Sequence, residues 1–169
     1  PMPQPHNVQR IRPNMPDYGI TDTPTDGMLT WDWLDAQLTT ARNYWVCTTR
    51  PDGRPHAVPV WAIWMDNTLF FSSSKTAIKA QNIAHNPHVV VHLESGDDTV
   101  ICEGILLTLA PQDPRKPALF QAYAQKYSFN PADNDDPTTS DWYELRFDKI
   151  MTWRESDFLD SVAYWIFDV

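Results

Sequence analysis

The residues best equipped for chemistry lie between positions 69 and 88, LFFSSSKTAIKAQNIAHNPH. An apolar run ends in Ser72, Ser73 and Ser74, and a short predicted helix carrying Lys79 follows, closed by His85, Asn86 and Pro87. Hydroxyls, unpaired amide hydrogens and an ammonium at a helix N-terminus favour a bound anion, through the helix dipole and through direct hydrogen bonds. A phosphate group suits that set, and Lys75 and Arg54 could add to the basic spot.

Other candidate clusters are weaker. His85, His88 and His92 fall within eight residues, but His88 and His92 on one strand face stand about 13 Å apart at strand rise, too far to share an ion. They read as separate structural histidines, and no metal site is expected. Asp97-Asp98 and the run Asp133 to Asp136 fall in predicted loops and lack the spacing of a calcium-binding loop. There is no nucleophile elbow, Walker loop, dinucleotide fingerprint or metalloprotease helix, so hydrolase chemistry has no support. No catalytic side chain can be assigned.

Thirteen basic against twenty-two acidic residues give a net charge of -9. That charge repels nucleic-acid backbones and anionic lipid surfaces, and neither is an expected partner. One phosphate remains compatible with it, because the field inside a pocket depends on near neighbours more than on the total. Cys47 and Cys102 sit inside apolar runs and read as small core residues of a protein from a reducing compartment. No stretch approaches the ~20 apolar residues that span a bilayer. The opening PMPQPHNVQRIRPNMPD lacks a signal-peptide core. A cytoplasmic location is expected.

The elements that would position the serines and Lys79 are mostly strands. Residues 1–29, rich in Pro, Asp and Thr without a period, read as an extended arm on the surface or on a partner, and residues 30–169 as a single domain. Trp31, Leu34, Leu38 and Ala41 recur at helical spacing behind an N-cap at Thr30. Tyr44 to Arg50, Pro55 to Met65 and Thr68 to Ser72 form an antiparallel meander joined by PDGR and Asp66-Asn67. His88 to Glu94 and Thr99 to Leu109 make a second hairpin, with Gly104 at a bend. A helix over Pro114 to Tyr127 precedes strands at Trp142 to Phe147 and Ile150 to Trp153. In the strand from Pro55, both alternating faces are apolar, so one fills an interior and the other needs a cover such as a flat ligand or a second subunit. Trp61 and Trp64 project to opposite faces of it, and Trp61 shares its face with Pro59.

The segments TTRPDGRPHAVPV, LFFSSS before KAQN, NPHVVVHL and the Glu103-Gly104 pair resemble, in this order, the pyridoxamine 5'-phosphate oxidase-like FMN-binding split β-barrel family. The resemblance implies a mainly β fold, a six-stranded antiparallel split barrel of Greek-key type flanked by short helices. It also implies a homodimer with FMN, or a related deazaflavin, in a cleft between subunits. By that resemblance Ser72, Ser73, Ser74 and Lys79 hold the cofactor phosphate. His56, Pro59, Val60 and Trp61 run beside the ring, and Trp165 of the second subunit closes the pocket. The implied activity is that of an FMN-dependent oxidoreductase. The alternative is a non-catalytic protein that binds or senses flavin, deazaflavin or haem. Two positions depart from the family pattern: Ile78 and Tyr164 stand where arginines are common. One lost charge-assisted phosphate bond is worth ~1.5 to 3 kcal/mol.

Overall fold

The structure, a computed structural model, describes residues 2–168. Strand β2 (Tyr44–Thr49) buries Tyr44, Val46 and Thr48 and turns the alternate residues outward. Its hairpin partner β3 (Pro55–Val60) follows a turn in which Gly53 takes φ 86, as the Asp-Gly pair predicts. The strand expected to run from Pro55 to Met65 breaks after Val60 and resumes as β4 (Ile63–Met65). Asp66 and Asn67, both left-handed at φ 51 and 56, then turn the chain into β5 (Thr68–Ser74). Helix α1 (Trp31–Thr40) starts where expected, with the Thr30 hydroxyl accepting the Trp33 amide hydrogen. Helix α2 (Ile78–His85) leads to β6 (His88–His92) and β7 (Asp98–Thr108), and α3 (Lys116–Tyr127) leads to β8 (Ser140–Arg154).

These strands close a circuit. β3 pairs with β2, β2 with β6, β6 with β7, β7 with β8 and β8 with β5, while β5 pairs with β4, which continues β3. Counting β3 and β4 as one bent strand, the circuit is the six-stranded antiparallel barrel expected. The long strand β8 makes the split. One of its edges follows β7 for most of its length, whereas the other pairs with β5 over Ser140 to Leu145 and with β9 (Ala163–Phe167) over Lys149 to Thr152.

The N-terminal arm is more than a surface strap. Val8–Ile11 forms β1 and extends the sheet by pairing with β9, bringing the sheet to nine strands. Ile20, Met28 and Leu29 of the arm are buried. Two apolar clusters divide the interior. The larger fills the barrel, with Leu34 and Leu38 of α1 against Tyr44, Val46, Leu69, Phe71, Val91 and Leu145. The smaller joins α3 to the outside of the barrel through Leu119 and Tyr127 against Ile63, Phe70 and Trp142. No helix among the described residues is long and apolar enough to cross a membrane.

Gly104 marks the irregularity expected of it. The β7–β8 register shifts between Glu103 and Gly104, so that Glu103 faces Lys149 and Gly104 faces Phe147. A Cβ at Gly104 would lie 2.1 Å from the Arg146 carbonyl oxygen, an approach that backbone cannot relieve locally. Gly104→Ala is therefore expected to cost about 1 to 3 kcal/mol or more, the range of an overpacked site, read as a lower urea midpoint.

Candidate functional site

The three serines do not converge. They belong to β5, whose pairing with β8 runs through Ser74 opposite Ser140, so successive hydroxyls alternate between faces. Ser73 is buried and its hydroxyl donates to the Ser74 carbonyl at 3.1 Å. Ser72, opposite Trp142, faces outward into a hollow of about 250 Å³ shared with Tyr123 and Phe129. Ser74 alone reaches the turn into α2, where its hydroxyl accepts the Thr76 amide hydrogen at 3.3 Å and lies 3.0 Å from the Thr76 hydroxyl. An anion at this corner would thus meet Ser74 and the start of α2, rather than three hydroxyls at once.

Helix α2 is built to leave its N-terminus available. Ala77 is the N-cap and supplies no side-chain hydrogen bond, so the first-turn amides are uncapped by side chains. The helix packs on β2 and β5. Asn82 fixes that docking: it is buried, and its Nδ2 donates to the buried Thr48 hydroxyl at 2.9 Å. Lys79 lies one turn earlier on the same flank, half-buried and without an ion-pair partner among the described residues. Burial lowers the pKa of its ammonium, a desolvation that a bound anion would offset. Lys75 differs, because Asp141 already holds it at 3.4 Å. Arg54 is likewise taken, by Asp52 at 2.8 Å.

His56 sits beside this flank. In the β2–β3 register it stands opposite Thr48, the residue that Asn82 grips, and its Nδ1 is buried with no hydrogen-bond partner among the described residues. An orphaned buried nitrogen is costly and points to a missing polar partner. Val60 also faces inward, opposite Tyr44, while Pro59 points outward opposite Trp45. β3 is the last strand in its direction, so its outer edge carries no strand partner. A proline is tolerated on such an edge.

Trp61 lies past the end of β3, at the corner where the strand breaks. It is 38% exposed and stacks on Tyr127 of α3, with centroids 4.7 Å apart and planes 6° apart. The Tyr127 hydroxyl accepts the Ala62 amide hydrogen at 3.0 Å and lies 2.9 Å from the Arg42 carbonyl, which satisfies backbone that the broken ladder leaves open. The Arg42 guanidinium lies 5.3 Å from the Trp61 ring centroid. Trp61 is thus part of the clamp that bends the barrel.

Trp165, expected at the pocket of a second subunit, lies inside its own barrel. It is 0% exposed, its indole N–H donates to Thr152 Oγ1 at 3.3 Å, and it packs edge-on against Trp31 at 5.3 Å. A side chain sealed in its own barrel presents nothing to a second subunit. Cys102 is buried as expected, but Cys47 is half-buried on the outer face of β2. The sequence reading also missed Thr48, Asn82 and Tyr127. The helical phase of Lys79 and Asn82 was the available signal for the first two, whereas no local pattern marked the Tyr127 contact with Ala62.

Lys126 gives the region a pH signature. Its ammonium donates to the Tyr44 hydroxyl at 2.8 Å and the Thr39 carbonyl at 3.1 Å, and burial lowers its pKa to about 8. An unfolded lysine titrates near ~10.4, so between about pH 8 and that value the unfolded chain holds a proton that the folded chain has lost, and stability rises with pH. Burial pushes the Tyr127 phenol up to about 12, which reverses the trend once unfolded tyrosines ionise. We expect the urea midpoint to climb from about pH 7.5 to about pH 9.5, and Lys126→Met to flatten the climb.

The outer sheet face carries apolar residues among polar ones, His88, His92 and Glu103 sharing it. Trp45, Ala57, Pro59, Val90, Ile101 and Ile105 all point out of the barrel, in register across β3, β2, β6 and β7. Ala57 and Pro59 are exposed.

A closed antiparallel circuit, a long strand shared by two partners and a helix packed on β2 and β5 define a split β-barrel protein. A family model described as pyridoxamine 5'-phosphate oxidase matches residues 31–154. The chain belongs to the pyridoxamine 5'-phosphate oxidase family. No curated protein matches it. Among solved structures it is similar to a conserved hypothetical protein from Mycobacterium tuberculosis, at 17% identity and TM-score 0.65, over 78% of this chain and 89% of that one. It is similar to an F420 reductase at 22% identity and TM-score 0.56, over 69% and 94%. A heme-binding protein from Mycobacterium smegmatis gives 15% identity and TM-score 0.61, over 75% and 55%. At these identities the likenesses show the fold alone.

Proposed function

We propose that this chain is an FMN-dependent oxidoreductase, acting as a homodimer whose cofactor cleft lies between subunits. The observation that carries the reading is the pairing of two unmet needs on one flank of the barrel: among the described residues, a half-buried Lys79 has no counter-ion and a buried His56 Nδ1 has no partner. The residues present fit FMN. Lys79, the Ser74 hydroxyl and the uncapped start of α2 would hold the phosphate. The open edge of β3 offers backbone donors and acceptors to a planar ring, with His56 beside it. Bound FMN would supply hydride transfer, leaving the protein to orient the substrate and exclude water. The apolar residues of the outer face, such as Trp45, Ala57 and Pro59, laid against a second copy, would provide that exclusion.

The test is reconstitution. The purified chain mixed with FMN is expected to give a yellow bound species, a raised melting temperature, and bleaching by NADH or another reductant. An unshifted melting temperature together with free flavin on gel filtration would end the proposal.

One feature favours a second reading, cofactor binding without turnover. Ile78, at the first position of α2, is exposed and offers no charge to a phosphate, leaving Lys79 as the cation there without an ion-pair partner among the described residues, since Lys75 is held by Asp141. A deazaflavin or haem ligand would then be distinguished from FMN by its absorption spectrum, and binding without reductive bleaching would favour this reading.

A further inference from the structure

A separate cavity of about 380 Å³ opens where the N-terminal arm meets the C-terminal segment. That volume lies within the range of small-molecule pockets. Its walls are rings: Tyr18 from the arm, Trp153 near the end of β8, Phe158 from the short helix α4 (Phe158–Ser161) and Tyr164 from β9. Phe158 meets Tyr18 at 6.1 Å and 73°, and Trp153 at 5.9 Å and 83°, both edge to face. Met15 and Met151 fill between them.

The arm is held there by deliberate local structure. Met15 and Ile20 form an isolated antiparallel bridge around a turn in which Gly19 takes φ 73, and Ile20 is fully buried. The turn leaves Tyr18 63% exposed at the cavity's rim.

Charge selects the ligand. Glu155 lines the cavity and has no ion-pair partner among the described residues, whereas its neighbour Arg154 is taken by Asp157 at 2.5 Å. Lys149, paired with Glu103 at 3.1 Å, stands 5.7 Å from the Tyr164 ring centroid, so the rings left for a ligand cation are Tyr18, Trp153 and Phe158. Aromatic faces around a single unpaired carboxylate attract an organic cation more than an anion or a neutral molecule. We propose that this cavity binds an organic ammonium ligand with an apolar body, its cationic head among Tyr18, Trp153 and Phe158 and facing Glu155. The site is independent of whether FMN binds at α2.

The full-length chain is titrated by calorimetry with choline and with its neutral carbon isostere, 3,3-dimethylbutan-1-ol. Choline is expected to saturate a single site at least roughly fivefold more tightly than the isostere, a difference within the usual range for a cation over aromatic faces. Trp153→Leu is expected to weaken choline by about tenfold, with Trp153→Phe retaining most of the affinity because it keeps a ring. Glu155→Gln, at an exposed position, should weaken choline by roughly threefold and leave the isostere unchanged. Melting temperatures near that of the parent chain show that the variants fold. Equal affinity for the two probes, the absence of saturation by choline, or binding lost as the chain self-associates would overturn the proposal.

Discussion

Lys79→Met is expected to weaken FMN binding by roughly ten- to a hundredfold, the value of one charge-assisted phosphate bond. Methionine keeps the length and most of the packing of the lysine stem, so the change isolates the charge. The unliganded protein should be no less stable for it. Burial already lowers the Lys79 pKa, which means that the folded chain disfavours the charged form, and a neutral side chain removes that penalty. Affinity and stability therefore move independently. Riboflavin provides the control, since it carries the ring without the phosphate: its affinity should be nearly the same for the parent chain and the variant. A comparable loss for riboflavin would place the lysine near the ring instead.

Trp165→Ala should destabilise the fold by about 3 to 5 kcal/mol, the cost of emptying a large aromatic site in a packed core. The residue has no exposed surface, joins β9 to Trp31 of α1 and gives its indole hydrogen to Thr152. Removing it also leaves the buried Thr152 hydroxyl without that donor, although the hydroxyl still donates to the Ala163 carbonyl at 2.8 Å. Trp165→Phe should cost distinctly less, because it retains the ring volume in part. The prediction separates two roles that cofactor assays alone would confuse. If Trp165 acts in the core, any loss of flavin follows the loss of folded protein, and chemical denaturation shows the deficit in the absence of FMN. A variant as stable as the parent chain but defective in binding would return Trp165 to the cleft.

Much of the barrel was legible because its determinants are local. Period-two burial in YWVCTT, the Asp-Gly and Asp-Asn turns and the Thr30 cap each need only a few neighbouring residues. The α2 segment with Lys79 was placed correctly for the same reason. What escaped was settled at long range. Val8–Ile11 has only four residues of pattern, and it becomes a strand through pairing with Phe167 to Tyr164 at the other end of the chain. The strand was expected to end at Ser72, yet pairing with Asp141 and Ser140 extends β5 through Ser74 and splits the hydroxyls between faces. Trp165 alternates within its strand like any other residue, and only the register with Ile150 and the approach of Trp31 turn it inward. The broken strand at Trp61 depends on Tyr127, a residue more than sixty positions away that holds the Ala62 backbone.

The central claim is that a phosphate-bearing planar cofactor spans from the start of α2 to the open edge of β3. The most direct measurement is a crystal structure of the chain grown with FMN. The account predicts phosphate oxygens within hydrogen-bond reach of Lys79 Nζ, Ser74 Oγ and the first α2 amides, with the ring along β3 and a polar partner for His56 Nδ1. Flavin bound elsewhere on the barrel, with Lys79 and His56 still without partners, would contradict it.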